Sequence, residues 1–209
     1  MFFAYRLRNY MYRLAFRGLV GPFFGRLGRG SSMVRPRGIE GIRRVFVGDD
    51  VYVADGGLLA AVPHTNAEEC ALRIGDGCKI GSYNHIYATR SVTLEDEVLT
   101  AGNVYISDNV HGFEDVQLAI MHQPIKQLRA VTIGRGSWLG QNVCIIGASV
   151  GRGCVIGSNS VVLNDIPDYC VAVGSPARVV RRMDKATGEW IREPRFAPPV
   201  ATTAMTDLP

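Results

Sequence analysis

From Ile74 onward an aliphatic residue recurs at every sixth position: Ile80, Ile86, Val92, Val98 and Val104. The rhythm returns at Ile133, Leu139 and Ile145, slips by one residue to Val150, and continues through Ile156 and Val162. Glycine often follows the aliphatic (Gly75, Gly81, Gly134, Gly140, Gly151, Gly157), and a small residue sits four positions on at Cys78, Ser137, Val143, Cys154 and Ser160. Helical-pair repeats need some 20 residues or more, and sandwich strands alternate with turns at looser spacing. Six residues supply one short strand and one tight turn, so three hexads predict a triangular coil. Such coils stack about 4.8 Å apart, aliphatics inward and backbone groups pairing along the axis. Gly, Asp and Asn at 75–77, 108–109 and 157–159 suit the positive φ of the corners. Small residues beside the aliphatics keep a narrow core from overfilling. The pattern predicts an all-β chain organised as a parallel β-helix.

The same pattern divides the chain. Residues 1–44 form a basic N-terminal segment in which arginines alternate with Phe, Tyr and Leu over 1–20, predicting a basic amphipathic helix, followed by a glycine-rich connector over 18–30. The β-helix is expected over 45–182: an opening coil near Val45, an interruption over 63–70, two coils to Asn109, and roughly two more to Asp165, with Pro167 ending the strand pattern. Between the arrays, 110–130 has no period and reads as a protruding loop; it carries His111 and His122. The tail is 183–209, and its end, 197–209, has a composition expected to be disordered.

Composition narrows the function classes. With 209 residues the chain has enough for one domain with a good core. The net charge is +4, but up to Arg44 the only acid is Glu40, against ten arginines. No apolar run approaches the ~20 residues of a membrane span, and no clean apolar segment marks a signal peptide. Five cysteines occur without zinc-type spacing, and Cys78, Cys144 and Cys154 at repeat positions read as small buried thiols. That usage suits a reducing, cytoplasmic setting. The basic residues form no nucleic-acid-binding motif.

The stretch from Ile133 through Gly134-Arg-Gly-Ser-Trp-Leu-Gly-Gln-Asn-Val, with Ile156-Gly-Ser-Asn-Ser-Val-Val and Val173-Gly-Ser-Pro-Ala-Arg-Val-Val, resembles the hexapeptide-repeat acyltransferases. Within them, Ser107-Asp-Asn-Val-His-Gly-Phe-Glu-Asp looks most like the O-acetyltransferases that decorate bacterial surface polysaccharides. The resemblance implies left-handed coiling, an exception to the usual crossover hand, and a homotrimer with sites at subunit boundaries. It implies transfer of acetyl from acetyl-CoA to a hydroxyl of a sugar or polysaccharide precursor, with no metal.

Attack by a sugar hydroxyl on a thioester needs a base with a pKa near operating pH, which suits neutral histidine. His111 stands where the family motif places that base. Asp108, Glu114, Asp115 or a backbone carbonyl are open choices for orienting it. Asn84, His85, Asp108 and His122 are expected on the acceptor side. On the donor side the resemblance assigns Trp138 to the thiol arm of coenzyme A, the Gln141 backbone N–H to the thioester oxygen, Ser158 to the pantetheine, and Arg178 and Arg181 to the phosphates. Relatives commonly carry Thr and then Lys or Arg just before Asp165, where this chain has Leu163-Asn164. No Ser or Cys nucleophile with an adjacent base is seen, so transfer is expected to be direct.

Three other readings stay open. One keeps the donor and places the acceptor amine on a nucleotide-linked sugar. A zinc carbonic anhydrase of the same fold would need three converging histidines. Residues 1–20 would also suit peripheral contact with an anionic membrane, on the inner face for a cytoplasmic protein.

Overall fold

Hexad aliphatics point inward and stack as expected, but the register hides an insertion. The computed structural model of the chain describes residues 2–65, 67 and 69–193; the tail segment 197–209 lies outside them. The helix α1 (Phe2–Leu19) precedes a left-handed parallel β-helix. Its first coil is β1 (Arg26–Leu27), β2 (Ser32–Met33) and β3 (Gly38–Glu40), and its second is β4 (Val45–Val47), β5 (Tyr52–Val53) and β6 (Leu58–Ala61). Next come β7 (Ala71–Ile74), β8 (Lys79–Ile80) and β9 (His85–Ala88), then β10 (Ser91–Leu94), β11 (Leu99–Thr100) and β12 (Tyr105–Ser107). An antiparallel hairpin, β13 (Asn109–His111) and β14 (Ile125–Gln127), stands out before the coil of β15 (Val131–Ile133), β16 (Trp138–Leu139) and β17 (Cys144–Ile146). The stack closes with β18 (Val155–Ile156), β19 (Val161–Val162) and β20 (Cys170–Gly174), from which β21 (Ala177–Met183) and β22 (Trp190–Arg192) turn back antiparallel.

Strands one coil apart pair in parallel and make three faces. The first is β1-β4-β7-β10-β15, the second β2-β5-β8-β11-β16-β18-β20 with β21 and β22 beyond it, and the third β3-β6-β9-β12-β17-β19. A full coil therefore precedes Val45, inside the stretch read as connector. The coil also runs past Pro167, because Ile166, Cys170 and Ala172 all turn inward.

Ile74 stacks on Leu94, not on Val92, which lies over Leu72. The coil from Ile74 to Leu94 has two residues more than three hexads, taken up at the extra turn between β9 and β10. Both inward positions of a hexad are aliphatic here, so a shift of two leaves the six-residue rhythm intact. Corner residues Gly77, Asn142 and Asn159 have φ of 69°, 58° and 60°. The glycine after the aliphatic serves another purpose: a Cβ on Gly134 would lie 2.5 Å from the backbone nitrogen of Arg152 in the next coil. Cys78 and Cys154 are inward, and burial pushes both thiols up to about 11. Cys144 differs from the sequence reading: it lies half-buried on the outside of the third face, between Tyr105 and Val161.

Candidate active site

Two interruptions, 62–70 and 108–130, leave the prism at the same corner, where the third face ends and the first begins. The extra turn at Thr89 lies between them. Hydrogen-bonding side chains buried here hold the hairpin foot. The Asp108 carboxylate accepts from the N–H groups of Thr89 (2.8 Å), Arg90 (2.7 Å) and Ser91 (2.7 Å), from the Thr89 hydroxyl, and from Asn109 Nδ2. Burial alone would raise its pKa, but these hydrogen bonds outweigh it and hold the carboxyl below its ordinary value. Gln127 ties hairpin to coil: its Nε2 donates to Asp108 O (2.8 Å) and Leu128 O, while its Oε1 accepts from Thr89 and Thr65 hydroxyls. Near the tip, the amide of buried Gln123 donates to Asp115 O and Leu118 O.

On this foot β13 and β14 pair, His111 opposite Ile125, and the His111 side chain is exposed. Its ring bonds to none of the described residues. The three candidate orienting carboxylates are engaged elsewhere: Asp108 as above, Glu114 with Lys126 and Phe113 N–H, and Asp115 with Gln117 N–H. Asp108 is thus a fastener of the corner, not a ligand for sugar or imidazole. A cavity of about 640 Å³ opens beside the hairpin foot, lined by Thr65, Arg73, Arg90, Ser91 and Gln127 among others.

Asn84 also proves structural. It is 1% exposed, its Nδ2 donates to Gly81 O, Thr100 Oγ1 and Ala101 O, and its Oδ1 accepts from Val104 N–H. With donors and acceptor satisfied inside the coil, it offers nothing to an acceptor. His85 faces outward on the third face, edge-on to Tyr105 at 5.1 Å and Tyr87 at 6.0 Å, with a buried Nε2 that has no hydrogen-bond partner among the described residues. Desolvation, then the Arg37 charge, hold its pKa below the usual value, against a smaller opposing effect of Glu40. His122 is exposed in the 3-10 turn Ile120–His122, and His64 stacks on Tyr87 at 6.2 Å. Among the described residues no three His, Cys, Asp or Glu side chains gather to hold a metal.

The donor-side residues share the second face and its corner with the third. Trp138, half-exposed at 46%, lies in register with Val155, Val155 with Val171, and Val171 with Arg181. This row runs from an indole over two valines to a guanidinium, three interstrand steps or about 14 Å at ~4.8 Å each. Gln141 and Ser158 stand exposed at the adjoining corner in successive coils, Asn159 N–H bonding Gln141 O at 2.8 Å, and Arg178 is exposed on β21. An apolar row ending in a cation fits an extended thioester arm with phosphate at its far end. On one chain, however, this row and His111 do not meet. Gln141 opens the crossing of the third face, and Gly147, bonded to Ser107 at the hairpin foot, closes it. That is roughly 15–20 Å of chain at ~3.3 Å per residue.

The sequence alone shows no sign of Thr89, Gln123 and Gln127 as the partners that fix this corner. Their bonds lie in or beside the aperiodic stretch, where no repeat marks them. The lone Gln127 in a strand-like Ile-Lys-Gln run carries no signal before its partners are known.

Residues 71–108 and 130–164 match the family described as the hexapeptide repeat of succinyl-transferase. Over 116 residues the chain is 42% identical to a probable acetyltransferase, Rv3034c, of Mycobacterium tuberculosis, covering 55% of this chain and 38% of that protein. It is 34% identical over 122 residues to the putative lipopolysaccharide biosynthesis O-acetyl transferase WbbJ of Escherichia coli, covering 55% and 62%. It is also 34% identical over 118 residues to the galactoside O-acetyltransferase of Escherichia coli, covering 52% and 56%. The matches thus span from 38% to 62% of these relatives' own lengths. Among solved structures, a variant of the N-acyltransferase AntD from Bacillus cereus, in complex with dTDP-4-amino-4,6-dideoxyglucose and coenzyme A, superposes with a TM-score of 0.68 at 18% identity, covering 82% of this chain and 91% of that one. At that identity the likeness concerns the fold.

Proposed function

We propose, from its similarity to the hexapeptide-repeat acyltransferases, that the chain transfers acetyl from acetyl-CoA directly to a sugar hydroxyl, as in surface-polysaccharide synthesis, with His111 as general base. The observation that carries this reading is an exposed imidazole on a hairpin fixed by buried side chains, in a prism that also presents the Trp138–Arg181 row. A base on a rigid support is what proton abstraction at a defined atom requires.

His111 removes the proton as the acceptor oxygen forms its bond to the thioester carbon. The Gln141 N–H donates to the oxygen that gains charge. As the tetrahedral centre collapses, the carbon–sulfur bond breaks and the thiolate takes the proton back from the imidazolium. Trp138 and Ser158 hold the arm, and Arg178 and Arg181 the phosphates. Since one chain keeps His111 and Gln141 at opposite ends of its third face, they come together between copies, as in a homotrimer; closed cyclic assembly is the usual form of a homo-oligomer.

The test follows thiol release from acetyl-CoA over a panel of hydroxyl and amino sugars, free and nucleotide-linked. Hydroxyl sugars should be acetylated, and His111→Ala should slow the reaction about 10²–10⁴-fold while keeping the thermal stabilisation given by acetyl-CoA. Ligand at about 100 times its Kd stabilises by roughly 2.7 kcal/mol. Turnover confined to amino acceptors would replace the hydroxyl reading with N-acetylation. Full activity of His111→Ala would remove the base assignment.

A further inference from the structure

The helix α1 has two apolar faces, and the β-helix uses only one. Phe16 is buried, stacked 6.0 Å from Tyr12 and edge-on to Phe24 at 6.2 Å. The Arg17 guanidinium donates to Gly28 O and Ser31 O, and Arg13 lies 5.9 Å over the Tyr52 ring. These contacts fix the helix against the opening coils and determine which side faces away. Leu7, Met11 and Leu14 are 50%, 57% and 50% exposed, and Tyr10 is exposed beside them. At about 100° per residue the three fall within an arc of roughly 60°, opposite Phe16. Arg8 flanks this stripe on one side and Arg13 and Arg17 on the other. Up to Arg37 the sequence has eight arginines and no Asp or Glu; beyond the helix, Arg26 and Arg29 pair with Asp49 and Arg35 with Asp55.

We propose that this outward face of α1 docks the protein on an anionic lipid surface. An apolar stripe on a basic helix anchored to its own domain through Tyr12–Arg17 matches an interfacial helix: aliphatics enter the acyl boundary while the positive charge of the segment is drawn to the lipid phosphates. No helix among the described residues is long and apolar enough to cross a membrane, so the contact is peripheral. A second copy of the chain is a poorer occupant. Helix against helix would bring together two basic surfaces with no acid in either helix, whereas an anionic lipid surface attracts them. The inference rests on α1 and the charge around it, and is independent of the acyl-transfer reading.

The experiment is flotation of the full chain with phosphatidylcholine vesicles, with and without phosphatidylglycerol, at low and high salt. The comparison uses Met11→Glu/Leu14→Glu and, as a control at the far end of the prism, Ile191→Glu, which alters another exposed apolar side chain. Circular dichroism and light-scattering mass accompany each protein. The chain and Ile191→Glu should float at least tenfold more with phosphatidylglycerol, and salt should weaken this. Met11→Glu/Leu14→Glu should lose binding at unchanged helix content and mass. Equal flotation with both vesicles, no flotation, or retained binding by the double variant would overturn the proposal. A fall in its molecular mass would assign the stripe to a second copy instead.

Discussion

The core of the prism and the corner that bears the hairpin solve the same problem by different means. In the core, backbone groups pair from coil to coil and the interior needs only apolar volume: Ile133, Leu139, Ile145 and Ile156 are all fully buried and one layer resembles the next. Such packing makes a rod but marks no particular place along it. At the corner the chain leaves the ladder, and its backbone groups need other partners. Asp108, Thr89 and Gln127 supply them, and by doing so place one hairpin, and His111, at a single point. Repetition confers stability, and directional hydrogen bonds confer position.

Four changes would break or sharpen that contrast. The largest loss of stability should come from Ile145→Ala in the core, about 2–5 kcal/mol, read by denaturant midpoint. Any residual folded protein should keep its kcat, since no corner contact is touched. Asp108→Asn should cost about 1–3 kcal/mol, because one oxygen that accepted backbone N–H groups becomes a donor. Unlike the core change, it should cut kcat among folded molecules, since the hairpin foot loosens. Because the folded pKa of Asp108 is depressed, its stabilisation is present above the unfolded carboxylate pKa and lost as pH falls through the folded value. The acid limb of the wild-type stability curve should therefore flatten in the variant.

Thr89→Val removes one hydroxyl that reaches both Asp108 and Gln127 at 3.0 Å. It should cost about 1 kcal/mol and raise hydrogen exchange at Leu128, whose amide bonds Asp108 O, before any in the core. The smallest effect belongs to His85. Its folded pKa lies below the unfolded value near 6.5, so the folded state resists protonation. Stability should be full above about pH 6.5 and decline as pH falls below it. His85→Phe should abolish that part of the slope, and an unchanged slope would show that His85 does not titrate there.

The departures from the sequence reading have definite causes. Val92 was a legitimate member of the six-residue series, yet Leu94 stacks on Ile74, because both inward positions of the hexad are aliphatic and periodicity cannot tell them apart. The coil at 26–40 escaped notice for the opposite reason. Gly38 and Ser32 stand at strand positions, and pairing with β5 and β6, not hydrophobic rhythm, makes those residues strands. Asn84 resembles an exposed corner residue in sequence, but it turns inward because Thr100 and the Ala101 carbonyl lie where its amide can be satisfied.

By itself the sequence determined the β-helix and the place of its interruption, because a period of six and its break are local facts. Tertiary structure decided the rest: which carboxylates are structural, that His111 and Gln141 stand at opposite ends of one face, and which side of α1 is left open. Those depend on what lies one coil above or below, some twenty residues away in the chain, where hydrogen-bond geometry and burial select among residues that local pattern leaves equivalent.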